Sequence, residues 1–241
     1  MSFTKHIPNA ITCCNLISGC IAVTCALWGN LEAALAWMVA GAVFDFFDGL
    51  SARVLGVSSS IGKELDSLAD DVTFGVAPSA MIFYELQVLP IPDYLSGVRD
   101  ILPYTAFLMA AFSALRLAKF NLDERQTTSF IGLPTPANAL FWGSLFVGLG
   151  PRIESLSWAV PLIIGLMLLS CWMLVSEIPM FALKFKHWGW RGNEVKYVFA
   201  ATALFMLLAF SVAGIALVVA WYVLVSLFLM IYERKPAGAD K

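Results

Sequence analysis

FDFFDGLSARVLGVSSSIGKELDSLAD, residues 44–70, is the stretch on which the reading of this chain turns. Four carboxylates, Asp45, Asp48, Asp66 and Asp70, interrupt sequence that is otherwise apolar enough to be membrane. At about 100° per residue, Asp45 and Asp48 share one helix side with Gly49 and Ala52, while Gly62, Asp66 and Asp70 step along one side of the next helix. Two such faces can confront each other. An Asp at the centre of a membrane helix opposes insertion by roughly 2.5 to 3.5 kcal/mol, so four amount to about 10 to 14 kcal/mol if simply summed. Placement near the water interface lowers that sum, yet crowded acids still need a cation between them. Hard oxygen donors at helical spacing suit Mg²⁺, Mn²⁺ or Ca²⁺. The first expectation is a divalent-metal site; the plain alternative is a set of acids in a solvated loop between two spans.

Composition points the same way. With 241 residues, 60% of them hydrophobic and 13% charged, and a mean hydropathy of +0.80, the chain is too apolar and too often interrupted by turn residues for one water-soluble core. The expected fold class is all-α, a polytopic transmembrane bundle. A net charge of −2 says little in such a protein, where the distribution of Lys and Arg among loops matters, and no basic domain suggests nucleic acid. Cys13, Cys14, Cys20 and Cys25 fall in the first apolar segment and Cys171 in a later one, without a CxxC pair, and read as small apolar packing residues. Ile17-Ser-Gly-Cys20 looks like a lipoprotein attachment box, but cleavage there would remove most of a span.

Along the chain, spans are expected at about 10–28, 31–55, 61–89, 104–120, 137–149 and 156–175. Asn9, Thr12 and Asn15 form a polar stripe in the first; they either line a cleft or hydrogen-bond a neighbouring helix. Pro78 should kink the third. Pro90, Pro92 and Pro103 frame an extramembrane loop, and Phe130-Ile-Gly-Leu-Pro-Thr-Pro136 makes a stiff entry to span five. Lys184, Lys186, Arg191, Trp188 and Trp190 suit an interfacial segment. The apolar run 198–232, about 52 Å as a single helix, is too long for one span and is expected to divide near Ser211 to Gly214 into spans seven and eight. Eight spans with both termini on one side place Lys5, Arg53, Lys63, Arg116, Lys119, Arg125, Lys184, Lys186, Arg191, Lys196, Arg234, Lys235 and Lys241 together and leave Arg99 and Arg152 opposite. That bias predicts both termini, and the acidic site, facing the cytoplasm.

Written out, the central pattern is Asp45-x2-Asp48-Gly49-x2-Ala52-Arg53-x8-Gly62-x3-Asp66-x3-Asp70, eight specified positions in 26 residues. It resembles the signature of the CDP-alcohol phosphotransferase family at every position. The resemblance implies a single integral-membrane domain over 1–241, with a six-helix core, two peripheral spans at about 196–232 and a homodimeric assembly in the cell (inner) membrane. It also implies transfer of a substituted phosphoryl group from a CDP-linked donor to an alcohol, with release of CMP. Asp45, Asp48, Asp66 and Asp70 would then hold divalent ions, two of Mg²⁺ or Mn²⁺, and Asp66, Asp70 and Arg53 would be catalytic, Asp70 as general base. Gly49, Ala52, Arg53 and Gly62 are assigned to the CDP moiety; the small residues let a base or phosphate approach the backbone, unless they serve only helix packing. Asp71 and Glu64, off the stripe, are expected to face solvent or play a structural part.

Beyond the motif, Ile7-Pro-Asn9, Leu65-Asp-Ser-Leu-Ala-Asp70 through Phe74-Gly-Val-Ala-Pro78, Ala114-Leu-Arg-Leu-Ala-Lys-Phe-Asn121 and Phe130 to Ala137 resemble the phosphatidylserine synthase branch. Lys119, Asp71 and Asn138 depart from it, where Arg, an apolar residue and Ala are usual. The branch implies CDP-diacylglycerol as donor and L-serine as acceptor, with lipid chains entering sideways between spans. For serine, Arg116 is the expected carboxylate partner through two parallel hydrogen bonds, with Lys119, Asn121 and Thr135 as further candidates; the alternative makes Arg116 and Lys119 interfacial anchors. Two rival functions stand beside this one. Another acceptor, glycerol phosphate or inositol phosphate, would want more cations than one Arg and one Lys, and a cation transporter would be expected to show repeated halves or paired broken helices, which this chain does not clearly have.

Overall fold

The computed structural model describes residues 6–57, 59–123, 130–181 and 189–233, with backbone only at Phe130 and Glu233. Lys5, Arg125, Lys184, Lys186, Trp188, Arg234, Lys235 and Lys241 lie outside the described residues. Apart from one short β pair the described chain is helical. The first helix, α1 (Ile7–Leu27), starts with Pro8 in its first turn, where a missing N–H costs nothing. The second, α2 (Leu31–Leu55), is capped by Asn30, whose side chain accepts from Ala33 N at 3.1 Å. It closes at Gly56, in the left-handed region at φ 63°, with Val57 N–H on Ala52 O at 3.0 Å. These two helices pack along their length.

Ser59 then caps α3 (Ser60–Asp70), its hydroxyl accepting from Gly62 N at 2.9 Å. The expected continuous third span is instead three pieces: α3, a π-helical turn at Asp71–Val76, and α4 (Ala77–Val88). Pro78 sits in the first turn of α4 rather than at a kink within a helix, because the widened turn before it removes the clash a proline ring makes with the preceding turn. Two 3₁₀ stretches, Asp93–Val98 and Leu102–Phe107, fill the proline-framed loop and lead into α5 (Leu108–Leu122).

Next come β1 (Phe130–Ile131), α6 (Thr135–Glu154), α7 (Ala159–Val175), β2 (Pro179–Met180) and α8 (Glu194–Glu233). The antiparallel β1–β2 pair, with Gly132 N–H on Ile178 O at 2.9 Å, ties the entry of α6 to the exit of α7. The core runs between α1, α4, α5, α6 and α7, around Phe74, Met81, Met109, Trp142 and Met167, all at most 1% exposed. Cys171 packs into it, whereas Cys13, Cys14 and Cys20 face outward. The expected division of the last apolar run is present: Ser211 breaks α8 at φ 50°, ψ −124°. Nineteen residues of straight helix span about 28 Å, yet Trp221 Nε1 donates to Thr202 Oγ1 at 3.0 Å, so the chain doubles back there. A Cβ on Gly214 would stand 2.5 Å from Met206 O, which is why this turn takes a glycine. Three helices, Ile7–Leu27, Leu31–Leu55 and the interrupted Glu194–Tyr232, are long and apolar enough to cross a membrane, and Ala159–Val175 is a shorter apolar helix.

Candidate active site

The C-terminal half of α2 and α3 turn their acidic sides toward one point, as the spacing of the acids predicts. One oxygen each from Asp45, Asp48 and Asp66 lie within 4.8 Å of one another. Asp48 Oδ2 and Asp66 Oδ1 are buried and have no hydrogen-bond partner. Carboxylate oxygens left unpaired in a crowded acidic cluster are costly by themselves. A divalent cation fits here, because it would satisfy the orphaned oxygens and cancel their repulsion.

Beside the trio opens a cavity of about 500 Å³ lined by Pro8, Asn9, Thr12, Asp48, Gly49, Ala52, Gly62, Lys63 and Asp66 among others. The three small motif residues therefore form its wall. A Cβ built on Gly49 meets nothing within 4 Å, while one on Gly62 stands 3.0 Å from Asn9 Oδ1 and Ser59 Oγ. Arg53 is exposed and its Nε donates to Gly49 O at 3.0 Å, on its own helix. Lys63, which the sequence did not single out, lines the cavity, with Nζ donating to Asn121 O at 3.0 Å.

Asp70 stands outside the trio, though within electrostatic reach of all three acids. Its Oδ1 accepts from Asn15 Nδ2 at 3.1 Å. Asn15 Oδ1 in turn accepts from Thr73 Oγ1 at 2.8 Å, and that hydroxyl also lies 3.1 Å from the main-chain oxygen of Asn15. Both Asn15 and Thr73 are fully buried. The hydroxyl fixes the orientation of the amide, so its NH₂ rather than its oxygen meets the carboxylate. Two glycines make room: a Cβ on Gly19 would overlap Thr73, and one on Gly41 would stand 2.6 Å from Thr73 Cγ2 and 2.9 Å from Asn15 Oδ1. The polar stripe of α1 thus does both things the sequence left open, Asn9 and Thr12 lining the cavity and Asn15 bonding a neighbouring helix.

The family model for CDP-alcohol phosphatidyltransferase matches residues 5–175, ending where α7 ends. The chain belongs to that family. Among curated phosphatidyltransferases it is similar to the CDP-diacylglycerol–serine O-phosphatidyltransferase of Bacillus subtilis, 41% identical over 132 residues, or 55% of this chain and 70% of that protein. The protein of the same name from Methanocaldococcus jannaschii is 31% identical over 166 residues, 68% of this chain and 71% of its own length. That from Mycobacterium leprae is 36% identical over 141 residues but is covered over only 44% of its length.

The residues expected at the acceptor end of this phosphatidyltransferase scatter over several contacts. Arg116 is buried on α5, lies in the electrostatic range of Asp70, and holds its guanidinium 4.9 Å from the Phe120 ring centroid. Together with Lys119, Leu174 and Ser176 it lines a second cavity of about 340 Å³. Lys119 Nζ donates to Val175 O at 3.4 Å, and Asn121 Nδ2 to Ser67 Oγ at 2.7 Å, so both also hold helices together. Thr135 is fully buried at the start of α6 and its hydroxyl has no partner. Of the two acids expected to face solvent or play a structural part, Glu64 is exposed and Asp71 is half-buried, with Oδ1 inside. The π-helical turn swings it toward α5, where Asp71 and Ser113 face each other across Gly75.

Proposed function

We propose that this chain is a metal-dependent, integral-membrane enzyme that transfers the phosphatidyl group of CDP-diacylglycerol to L-serine, giving phosphatidylserine and CMP. The observation that carries the reading is the convergence of Asp45, Asp48 and Asp66 oxygens within 4.8 Å beside a cavity walled by Gly49, Ala52 and Gly62. The CDP moiety lies against those small residues, with Arg53 and Lys63 at hand for its phosphates. Asp45, Asp48 and Asp66, with Asp70 beside them, would hold two divalent ions, Mg²⁺ or Mn²⁺. Bound there, the metal neutralises the diphosphate and the charge that develops on the attacking and leaving oxygens.

The rest is the work of side chains. Asp70 is the base: Asn15 occupies its Oδ1, leaving Oδ2 to accept the proton of the serine hydroxyl. As that proton leaves, the serine oxygen bonds to the lipid phosphorus, the P–O bond to the cytidylyl phosphate breaks, and CMP departs with the bonding electrons. Arg116 takes the serine carboxylate through its planar pair of donors, with Lys119, Asn121 and Thr135 around it. We further infer one domain of eight spans over 1–241, a homodimer in the cell membrane, and termini and site on the cytoplasmic side, since thirteen of fifteen Lys and Arg fall on that side. Purified protein supplied with CDP-diacylglycerol and serine, glycerol phosphate or inositol phosphate should release CMP with serine. Product with glycerol phosphate and none with serine would overturn the acceptor assignment.

A further inference from the structure

The family match ends with α7, yet the chain goes on to form α8, and α8 reaches back to the segment that leaves α7. The contact is made at Phe181, the residue after β2. Tyr222 Oη donates to Phe181 O at 3.1 Å, and Ser226 Oγ accepts from Phe181 N at 3.3 Å while donating to Tyr222 O at 2.8 Å. Tyr222 and Ser226 stand four apart on one face of α8, so a single helix holds both polar main-chain groups of Phe181. A main-chain N–H or C=O left bare in apolar surroundings is costly, which gives this pair of bonds the weight of an anchor.

Rings reinforce the bonds. The Phe181 ring centroid lies 5.1 Å from that of Phe199 and 5.1 Å from that of Tyr222. Phe199 precedes the break at Ser211 and Tyr222 follows it, so both arms of the α8 hairpin pack on one side chain. Met180, 1% exposed, joins Leu133 and Met173 in a small apolar nucleus against which Tyr222 and Val223 pack. Through the β register the anchor reaches Ile131, which pairs with Pro179. Ile131 and the α7 exit, Leu174 to Glu177, are the wall of the cavity that holds Arg116 and Lys119. Gly132 turns at φ 74° against the carbonyls of Leu174 and Ser176, so β1 lies directly on that exit. From the cavity side Lys119 Nζ reaches Val175 O at 3.4 Å, a long bond, and the two bonds from α8 secure the same segment farther along the chain.

We propose that Tyr222 and Ser226 are positioning residues for the acceptor. By anchoring Phe181 they set the β pair and the exit of α7 against Arg116 and Lys119, and so fix the width of the cavity that takes the serine carboxylate. This rests on the reading given above of serine as acceptor and of Arg116 as its carboxylate partner. Among the described residues the donor cavity shares no lining side chain with this one, so the effect falls on the acceptor.

The test uses full-length protein in lipid nanodiscs, with CMP release measured over a range of serine at saturating CDP-diacylglycerol, and the converse. Tyr222→Phe keeps the ring and removes one hydroxyl; Ser226→Ala removes the other. Each should raise the KM for serine about three- to tenfold, the weight of one neutral hydrogen bond, with kcat and the KM for CDP-diacylglycerol within about twofold of wild type. Thr202→Val is the control for stability. It removes the acceptor of the Trp221 bond, which joins the arms of the hairpin to each other rather than to Phe181, and should lower the thermal midpoint without moving the KM for serine. An unchanged serine KM in both Tyr222→Phe and Ser226→Ala, equal rises in KM for serine and donor, or the same rise in Thr202→Val would overturn the positioning role. Arg116→Lys separates this from the reading beneath it. If that variant raises the KM for serine and the α8 variants do not, the positioning role alone falls; if it leaves the KM unchanged, the cavity is not the acceptor's and both fall.

Discussion

Replacing Thr73 by Val keeps the shape of a fully buried side chain and removes one hydroxyl, and the consequences are calculable from the contacts it makes. Thr73 Oγ1 is the donor that Asn15 Oδ1 accepts from at 2.8 Å, and Asn15 Nδ2 is the donor to Asp70 Oδ1 at 3.1 Å. Without the hydroxyl, Asn15 either keeps its orientation with a bare buried oxygen or turns its amide, setting that oxygen against the Asp70 carboxylate. An unsatisfied buried acceptor costs about 1 to 3 kcal/mol. Where that cost falls on the geometry of the base it appears in the barrier, and each 1.36 kcal/mol is tenfold in rate. The expected result is a kcat reduced about 10- to 100-fold, with KM for both substrates within about threefold of wild type. Thr73→Ser keeps the donor and should recover most of the rate. The assay is CMP release from CDP-diacylglycerol and serine, with the thermal midpoint measured in parallel. A Thr73→Val enzyme with wild-type kcat, or a Ser variant as slow as the Val variant, would refute the argument that this hydroxyl orients Asp70 through Asn15.

Gly49→Ala should separate folding from donor binding: an added Cβ meets nothing within 4 Å, and Ala in a helix interior is favoured over Gly by about 0.5 to 1 kcal/mol. The thermal midpoint should therefore rise while KM for CDP-diacylglycerol increases; unchanged KM would remove the donor from that wall. Chelation with EDTA should abolish CMP release, and Mg²⁺ or Mn²⁺ should restore it. In the wild type the added ion should raise the midpoint, by an amount equivalent to about 2.7 kcal/mol at a hundred times its Kd. Asp48→Asn should lose that shift together with at least about a hundredfold in turnover; an unaltered ion-induced shift would place the metal elsewhere. Glu85 on α4 is 3% exposed, its Oε2 has no partner, and the like charge of Glu154 acts on it. Glu85→Gln removes a buried charge remote from the site and should raise the midpoint with turnover unchanged; a lowered midpoint would mean that the charge is held by a group other than those described.

How much of this was legible from the sequence follows from the range over which each interaction acts. The acidic face was readable because four carboxylates in apolar helices are too costly to be incidental, and because helix geometry alone fixes which of them share a side. The break in the last apolar run was readable from length, since about 52 Å of helix exceeds any ordinary bilayer; that the two halves fold back through Trp221 and Thr202 was not. For Asp71 the sequence left two readings, solvent-facing or structural, and what separates them is local. An ideal helix places it off the stripe, but the π-helical turn widens at that residue and directs it to α5. Thr73 gave no signal at all, because a buried threonine is common and its importance lies in Asn15, 58 positions away. Lys119 and Asn121 were visible as a polar helix end, but their partners, Val175 O and Ser67 Oγ, belong to other elements.

Asp70 is where these parts meet, and its position explains the order of the elements around it. It ends α3, whose Asp66 stands in the carboxylate trio and lines the adjoining cavity, and it directly precedes the π-helical turn that carries Asp71 toward α5. From a third direction α1 fixes it through Asn15. A base that must reach an alcohol on one side and a phosphorus on the other belongs at such a junction, because a group rooted in either half would follow the motions of that half alone. Substitutions therefore divide by location. Changes at Gly49, Ala52 or Gly62 should act on the KM of the donor, changes at Arg116 on the KM of the acceptor, and changes at Asn15 or Thr73 on kcat. A double variant joining Gly49→Ala with Arg116→Lys should then show multiplied effects, since a Cβ at Gly49 meets nothing within 4 Å and Arg116 lines a different cavity. Strong non-additivity between them would mean that donor and acceptor bind to one undivided pocket.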